Sequence, residues 1–164
     1  MITPKGRHPA LMATVIAAVC LAALHSCSRP LSDEYFTRTG KSEPEGEYAF
    51  TVTFGEEECD LDLYVSMVCG NVKFAQFPGL ELSLLWESPE GEKYSEDVFL
   101  SKDHLDKGTF FWKQMAAPYR KNLVMDPPGE WKLTITIPSE AVELYGITGT
   151  GVRVTRQQQW DTEN

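Results

Sequence analysis

The chain has 164 residues, 42% of them hydrophobic, with 24 acidic against 15 basic side chains and a formal net charge of −9. That is about one domain's worth of chain by length alone. The acidic balance makes a poor surface for nucleic acid or anionic lipid, both of which attract basic patches.

At the N-terminus, Lys5, Arg7 and His8 precede an uncharged run at 10–24, ALMATVIAAVCLAAL. It is shorter than the ~20 apolar residues that cross a bilayer comfortably as a helix. A basic flank, a short apolar core and a small residue at its end read as a cleaved secretory signal. An uncleaved anchor or a buried core helix is the alternative. The run closes on Leu24, His25, Ser26 and Cys27, which resembles the bacterial lipobox, although His25 stands where a small or β-branched residue is more usual. The resemblance implies a diacylglycerol on the Cys27 thiol and cleavage between Ser26 and Cys27. Stable attachment takes two or more acyl chains, at ~0.8 kcal/mol per buried CH₂. Ser28 rather than an aspartate follows, which by analogy with bacterial sorting favours the outer membrane. Loss of residues 1–26 takes Lys5 and Arg7 with it, leaving 13 basic against 24 acidic residues and a net charge of −11.

Residues 28–46, SRPLSDEYFTRTGKSEPEG, are polar with two prolines and two glycines. They read as a tether, with Tyr35 and Phe36 as a pair that could dock onto the domain. Beyond it the hydrophobic period is two, the signature of half-buried strands. Tyr48, Phe50, Val52 and Phe54 share one face of 47–54, and residues 59–69 alternate throughout. Leu80, Leu82, Leu84 and Trp86 share another face; SPEG at 88–91 is a turn, and 93–100 returns as a hairpin partner. Residues 102–122 contain a strand near 110–113 and a loop through Ala117 and Pro118, with a short helix as the alternative. DPPGE at 126–130 is a second turn, after which Trp131, Leu133, Ile135 and Ile137 face one way. Residues 139–145 form a helical segment with Ser139 as N-cap, and 151–156 a last strand. The expectation is an all-β, antiparallel β-sandwich, Ig-like or jelly-roll-like, of about seven to eight strands over 47–156. A signal at 1–26, a lipidated tether at 27–46 and a flexible tail at 157–164 complete the chain.

Cys20 leaves with the signal, and Cys27 is taken by lipid if the lipobox operates. On one straight strand the Cα atoms of Cys59 and Cys69 lie ~33 Å apart, whereas a disulfide needs ~7 Å or less. Two buried thiols are expected, a bend within 64–68 that brings them together being the alternative. The mature chain holds one histidine, His104, which rules out a multi-histidine zinc site, and no GxSxG-like turn serves it with a nucleophile. Glu56, Glu58, Asp60 and Asp62 alternate along one strand face; a solvated acidic face is expected over a calcium site, because they are too spread to converge on one ion. Phe110, Phe111, Trp112 and Tyr119 form an aromatic cluster near Lys113, Arg120 and Lys121. Such a cluster either packs in the core or serves as a platform for glycan or protein. TGTG at 148–151 lacks the strand-to-helix context of a nucleotide loop.

LSDEYF after the lipobox cysteine, LDLYVSMV at 61–68, LELSLLW at 80–86 followed by SPEG, GEWKLTITI at 129–137 and LYGITGTGVRVTR at 144–156 form one set of motifs. Together they resemble the gliding-motility lipoprotein GldH family of the Bacteroidetes. The resemblance implies a non-catalytic outer-membrane lipoprotein, facing the periplasm or the surface. Its partners would be the membrane, through the anchor, and envelope proteins of the gliding and type IX secretion machinery. It implies no catalytic residue, cofactor or metal. The alternative is a surface lipoprotein that binds glycan or another ligand through Phe110, Trp112 and Tyr119.

Overall fold

A computed structural model describes residues 32–40 and 46–157. The expected signal at 1–26, the cleavage and lipidation residues Ser26 and Cys27, and the tail beyond Gln157 lie outside the described residues.

Alternation of apolar and polar side chains dictates strands that bury one face, and two sheets form from them. The first has five strands, β1 (Ser32–Arg38), β9 (Ile147–Arg156), β3 (Cys59–Val68), β7 (Trp112–Leu123) and β6 (Leu105–Gly108), in that spatial order. The second orders β2 (Glu47–Phe54), β8 (Gly129–Thr136), β4 (Leu80–Glu87) and β5 (Lys93–Leu100). Every pairing among them is antiparallel. The all-β sandwich expected from the sequence is what forms, with nine strands described instead of seven or eight.

The core is the set of faces read from the alternation. Tyr48, Val52, Leu63, Val65, Met67, Leu82, Leu133 and Ile135 are sealed completely from solvent. Each fully buried aliphatic or aromatic side chain contributes roughly 1.5–3 kcal/mol relative to its exposed state. Cys59 and Cys69 are free, buried thiols on that face, and burial pushes the Cys59 thiol up to about 11.

Two expectations change at the first sheet. The polar stretch taken for a tether contains β1, which pairs along its full length with β9 from Ser32–Thr155 to Arg38–Gly149. Ion pairs fasten this edge: Arg153 Nε lies 2.8 Å from Glu34, and Arg156 bonds Asp33 at 2.5 Å and Glu57 at 3.0 Å. Charged residues hid the strand, because an edge strand lies half in solvent and carries charge without penalty. Secondly, Ala117 and Pro118 are within β7 rather than in a loop. Proline has no N–H to donate and is tolerated in sheets at bulges. Pro118 is exposed and sits where the β3–β7 register slips, between Leu61 and Asp62.

Two short helices close one end. α1 (Asn71–Ala75) brings Phe74 onto Phe77, which meets Tyr145 edge-on at 4.8 Å. Five residues are too few to display a helical period, so the sequence gives no sign of it. α2 (Ser139–Tyr145) falls on the expected helical segment, but its N-cap is Pro138 and Ser139 makes no capping bond. Gly146 ends it in the left-handed region at φ 63°.

Candidate functional site

β7 decides where the predicted aromatics go. Lys113, Met115 and Ala117 point inward and are buried, so Trp112, Gln114 and Ala116 point outward, and Tyr119 returns to the inner side. Trp112 and Tyr119 therefore lie on opposite faces of the same strand. Phe110 and Phe111 occupy the β6–β7 turn, 59% and 67% exposed, with rings edge to face at 80°. The three residues expected to form one ligand surface belong to three separate places, and the Phe110–Phe111 rings are not coplanar. Lys113, itself buried, holds that turn by donating from Nζ to the carbonyls of Thr109 and Phe110.

Tyr119 lines an aromatic cleft of about 320 Å³ between the sheets, with Trp86, Tyr94, Trp131, Leu123 and Met125. Its polar atoms are already engaged. Trp86 Nε1 donates to the Tyr119 hydroxyl at 3.1 Å, and that hydroxyl donates to Glu96. Glu96 in turn takes Arg120 at 2.6 Å, and the Arg120 guanidinium stacks 4.5 Å from the Tyr119 ring. Trp131 Nε1 donates to the Pro127 carbonyl at 2.9 Å. Burial, followed by the bond to Glu96, holds the Tyr119 phenol well above its usual range.

Trp112 lines a different concavity, on the outer face of the five-stranded sheet. Cross-strand neighbours on one sheet face form rows, and two rows build this one. The first runs Phe36–Gly151–Tyr64–Ala116, and the second Arg38–Gly149–Ser66–Gln114. The middle of the second row holds only a glycine and a serine, so the sheet is hollow there. A shallow depression of about 510 Å³ results, walled by Phe36 and Arg38 on one side and Trp112 and Gln114 on the other. The glycines are required: a Cβ on Gly149 would fall 2.4 Å from the Phe36 ring, and one on Gly151 would fall 2.6 Å from the Tyr64 ring. Phe36 and Tyr64 stack nearly parallel, 5.8 Å apart at 9°. Tyr64 is closed off, its hydroxyl donating to the Tyr35 carbonyl at 3.2 Å.

Glu34 is held by Arg153 at 2.8 Å, Gln114 Nε2 donates to Asp106 at 3.5 Å and Thr148 Oγ1 donates to the Ser66 carbonyl at 3.2 Å, which leaves three polar side chains of the depression open among the described residues. Ser66 is 94% buried on the floor, and its hydroxyl has no hydrogen-bond partner among the described residues. The half-buried Trp112 and the exposed Arg38 also line the depression, and neither side chain has a hydrogen-bond partner among the described residues. Phe36, Arg38, Ser66 and Gln114 were missed as site residues by sequence reasoning. The available signal was G-x-G at 149–151, which puts two glycines on one face of a strand and marks a trough.

Other candidate groups have structural partners. His104 Nδ1 accepts from the Ser101 N–H at 3.1 Å and completes a capping box on a single 3-10 turn. Asp60 accepts from the Asn122 N–H at 2.9 Å, and Asp62 lies 3.9 Å from Arg153. Among the described residues no three potential metal ligands cluster, and no helix is long and apolar enough to cross a membrane.

No protein-family model matches the chain. No curated protein sequence matches it. Among solved structures, it is similar to a chain from infectious bursal disease virus Gx strain at 11% identity and a TM-score of 0.31, over 80% of this chain and 33% of the viral one. The overlap thus spans about a third of the viral chain, and the superposition is too loose to assign a fold family.

Proposed function

We propose that this chain is a lipid-anchored protein of the bacterial outer membrane, resembling the gliding-motility lipoprotein GldH family, and that it acts by noncovalent contact instead of catalysis. The observation that carries the reading is the uncharged run at 10–24 closing on LHSC, with Cys27 as the lipid acceptor. The sandwich supports it as a binding scaffold. Its single mature-chain histidine is spent on a turn cap, and Asp60, Asp62 and Glu96 are spent on backbone and side-chain partners. Nucleophilic chemistry requires a base free to serve a nucleophile, and His104 is engaged with the Ser101 amide.

Metabolic labelling with a clickable palmitate analogue tests the anchor. The native chain takes up label and Cys27→Ala does not; label on the variant would overturn the lipobox reading. Deleting the gene in a gliding host tests the role. Gliding, or secretion of C-terminally tagged cargo, is expected to fail, and normal behaviour of both would sink the assignment.

A further inference from the structure

We infer that the depression on the outer face of the five-stranded sheet is a saccharide-binding site, with Phe36 and Trp112 as stacking walls and with the Ser66 hydroxyl, the Arg38 guanidinium and the amide oxygen of Gln114, whose Nε2 is held by Asp106, as hydrogen-bonding groups. This inference is independent of the lipid anchor and of the proposed role in the envelope.

The chemistry of the floor selects the ligand class. A buried polar group without a partner costs on the order of 1–3 kcal/mol, and such groups in native proteins call for an explanation. The Ser66 hydroxyl has no partner among the described residues, and the residue is 94% buried at the centre of the Arg38–Gly149–Ser66–Gln114 row. A ligand that satisfies it must bring hydrogen-bonding capacity into a trough flanked by Phe36 and Trp112. A sugar ring has that character: its C–H faces lie against aromatic rings, and its rim of hydroxyls both donates and accepts.

The alternatives fit less well. An aliphatic side chain would cover the trough and leave the Ser66 hydroxyl and the Trp112 N–H unpaired. A peptide that binds as an added strand needs a free sheet edge, whereas β9, β3 and β7 each have paired neighbours on both sides. A strongly anionic ligand finds Arg38 as the one cation lining the depression among the described residues, with the Glu34 carboxylate, already paired to Arg153 at 2.8 Å, on the same wall. The volume, about 510 Å³, is within the usual range of small-molecule sites, roughly 300–1,000 Å³. The Phe36–Tyr64 stack over Gly149 and Gly151 holds one wall in place before any ligand arrives.

The test uses the full mature chain in a detergent without a sugar headgroup, such as a dodecyl amine oxide. Cellohexaose, xylohexaose, maltohexaose and chitohexaose are titrated by calorimetry and by tryptophan fluorescence. At least one is expected to bind, and Trp112→Ala to weaken it about tenfold or more, the size of one lost aromatic contact. Arg38→Ala and Gln114→Ala lie on the sheet surface and test the same site without touching the core; each is expected to weaken binding several-fold. Phe110→Ala, in the separate turn, is expected to leave affinity unchanged. No binding to any of the four, or binding that responds to Phe110→Ala and not to Trp112→Ala, Arg38→Ala or Gln114→Ala, would overturn the proposal. Palmitate labelling at Cys27 reads the anchor separately, so either idea can fail while the other stands.

Discussion

Two aromatic concavities among the described residues differ in the state of their polar atoms. In the cleft between the sheets, Trp86, Tyr119, Glu96 and Arg120 form a closed chain of hydrogen bonds, and Trp131 is tied to Pro127. In the depression on the outer sheet face, the Ser66 hydroxyl, the Trp112 N–H and the Arg38 guanidinium have no such partners among the described residues. Aromatic lining alone does not separate a binding site from a piece of core. The state of the polar atoms does, because a buried polar group is satisfied internally, by water or by a ligand.

The comparison breaks most readily at Trp131. Removing that ring should cost about 3–5 kcal/mol in urea-induced unfolding, since Trp131 is 5% exposed and its Nε1 is bonded to the Pro127 carbonyl. A loss below about 1 kcal/mol would mean the cleft is not structural. Next comes Gly151→Ala. Its Cβ would fall 2.1 Å from the Tyr35 carbonyl and 2.6 Å from the Tyr64 ring. Overpacking of this kind should cost about 1–3 kcal/mol and lower the thermal midpoint. An unchanged midpoint would show that Tyr64 moves freely and that the wall is not pre-formed.

Alkaline pH probes the apolar side of β3. The thiol of Cys59 ionises near 9.0 when unfolded but holds its proton to about 11 when buried. The folded state binds the extra proton, so stability falls as pH rises from about 9 towards 11, by on the order of 1–2 kcal/mol. A Cys59→Ala variant should have a flatter pH profile over that window, measured by denaturant midpoints. Smaller again is Tyr119→Phe, which removes the hydroxyl between Trp86 and Glu96. About 1–2 kcal/mol should be lost. The smallest effect sharpens the contrast most. Ser66→Ala removes a hydroxyl that has no described partner, so stability should stay within about 0.5 kcal/mol of the parent or rise. A loss above 1 kcal/mol would mean that the Ser66 hydroxyl is satisfied in solution and that the two concavities are alike.

Much of the core was legible in the sequence. The alternating sets at 48–54, 61–67, 80–86 and 131–137 are buried as read, since period-two burial is a local property of extended chain. The candidate site was only partly legible. Trp112 was singled out and does line a concavity, but it was grouped with Phe110 and Tyr119 because the three are close in sequence. Pro118 was the obstacle. A proline ordinarily demotes a strand reading, and without a continuous β7 the opposite orientations of Trp112 and Tyr119 cannot be counted off. β1 was missed for a different reason: Asp33, Glu34 and Arg38 gave a polar composition, while the partners that neutralise two of them, Arg153 and Arg156, lie over a hundred residues away.

What the sequence determined by itself is which side chains turn inward, and that two glycines, Gly149 and Gly151, share one face of a strand. Each of those facts follows from bond geometry over a few residues. Only the tertiary structure decided that Arg38, Gly149, Ser66 and Gln114 stand side by side. That row draws one residue from each of four strands scattered from β1 to β9. Strand order and register arise from burying all the apolar faces at once, a condition that no single segment contains.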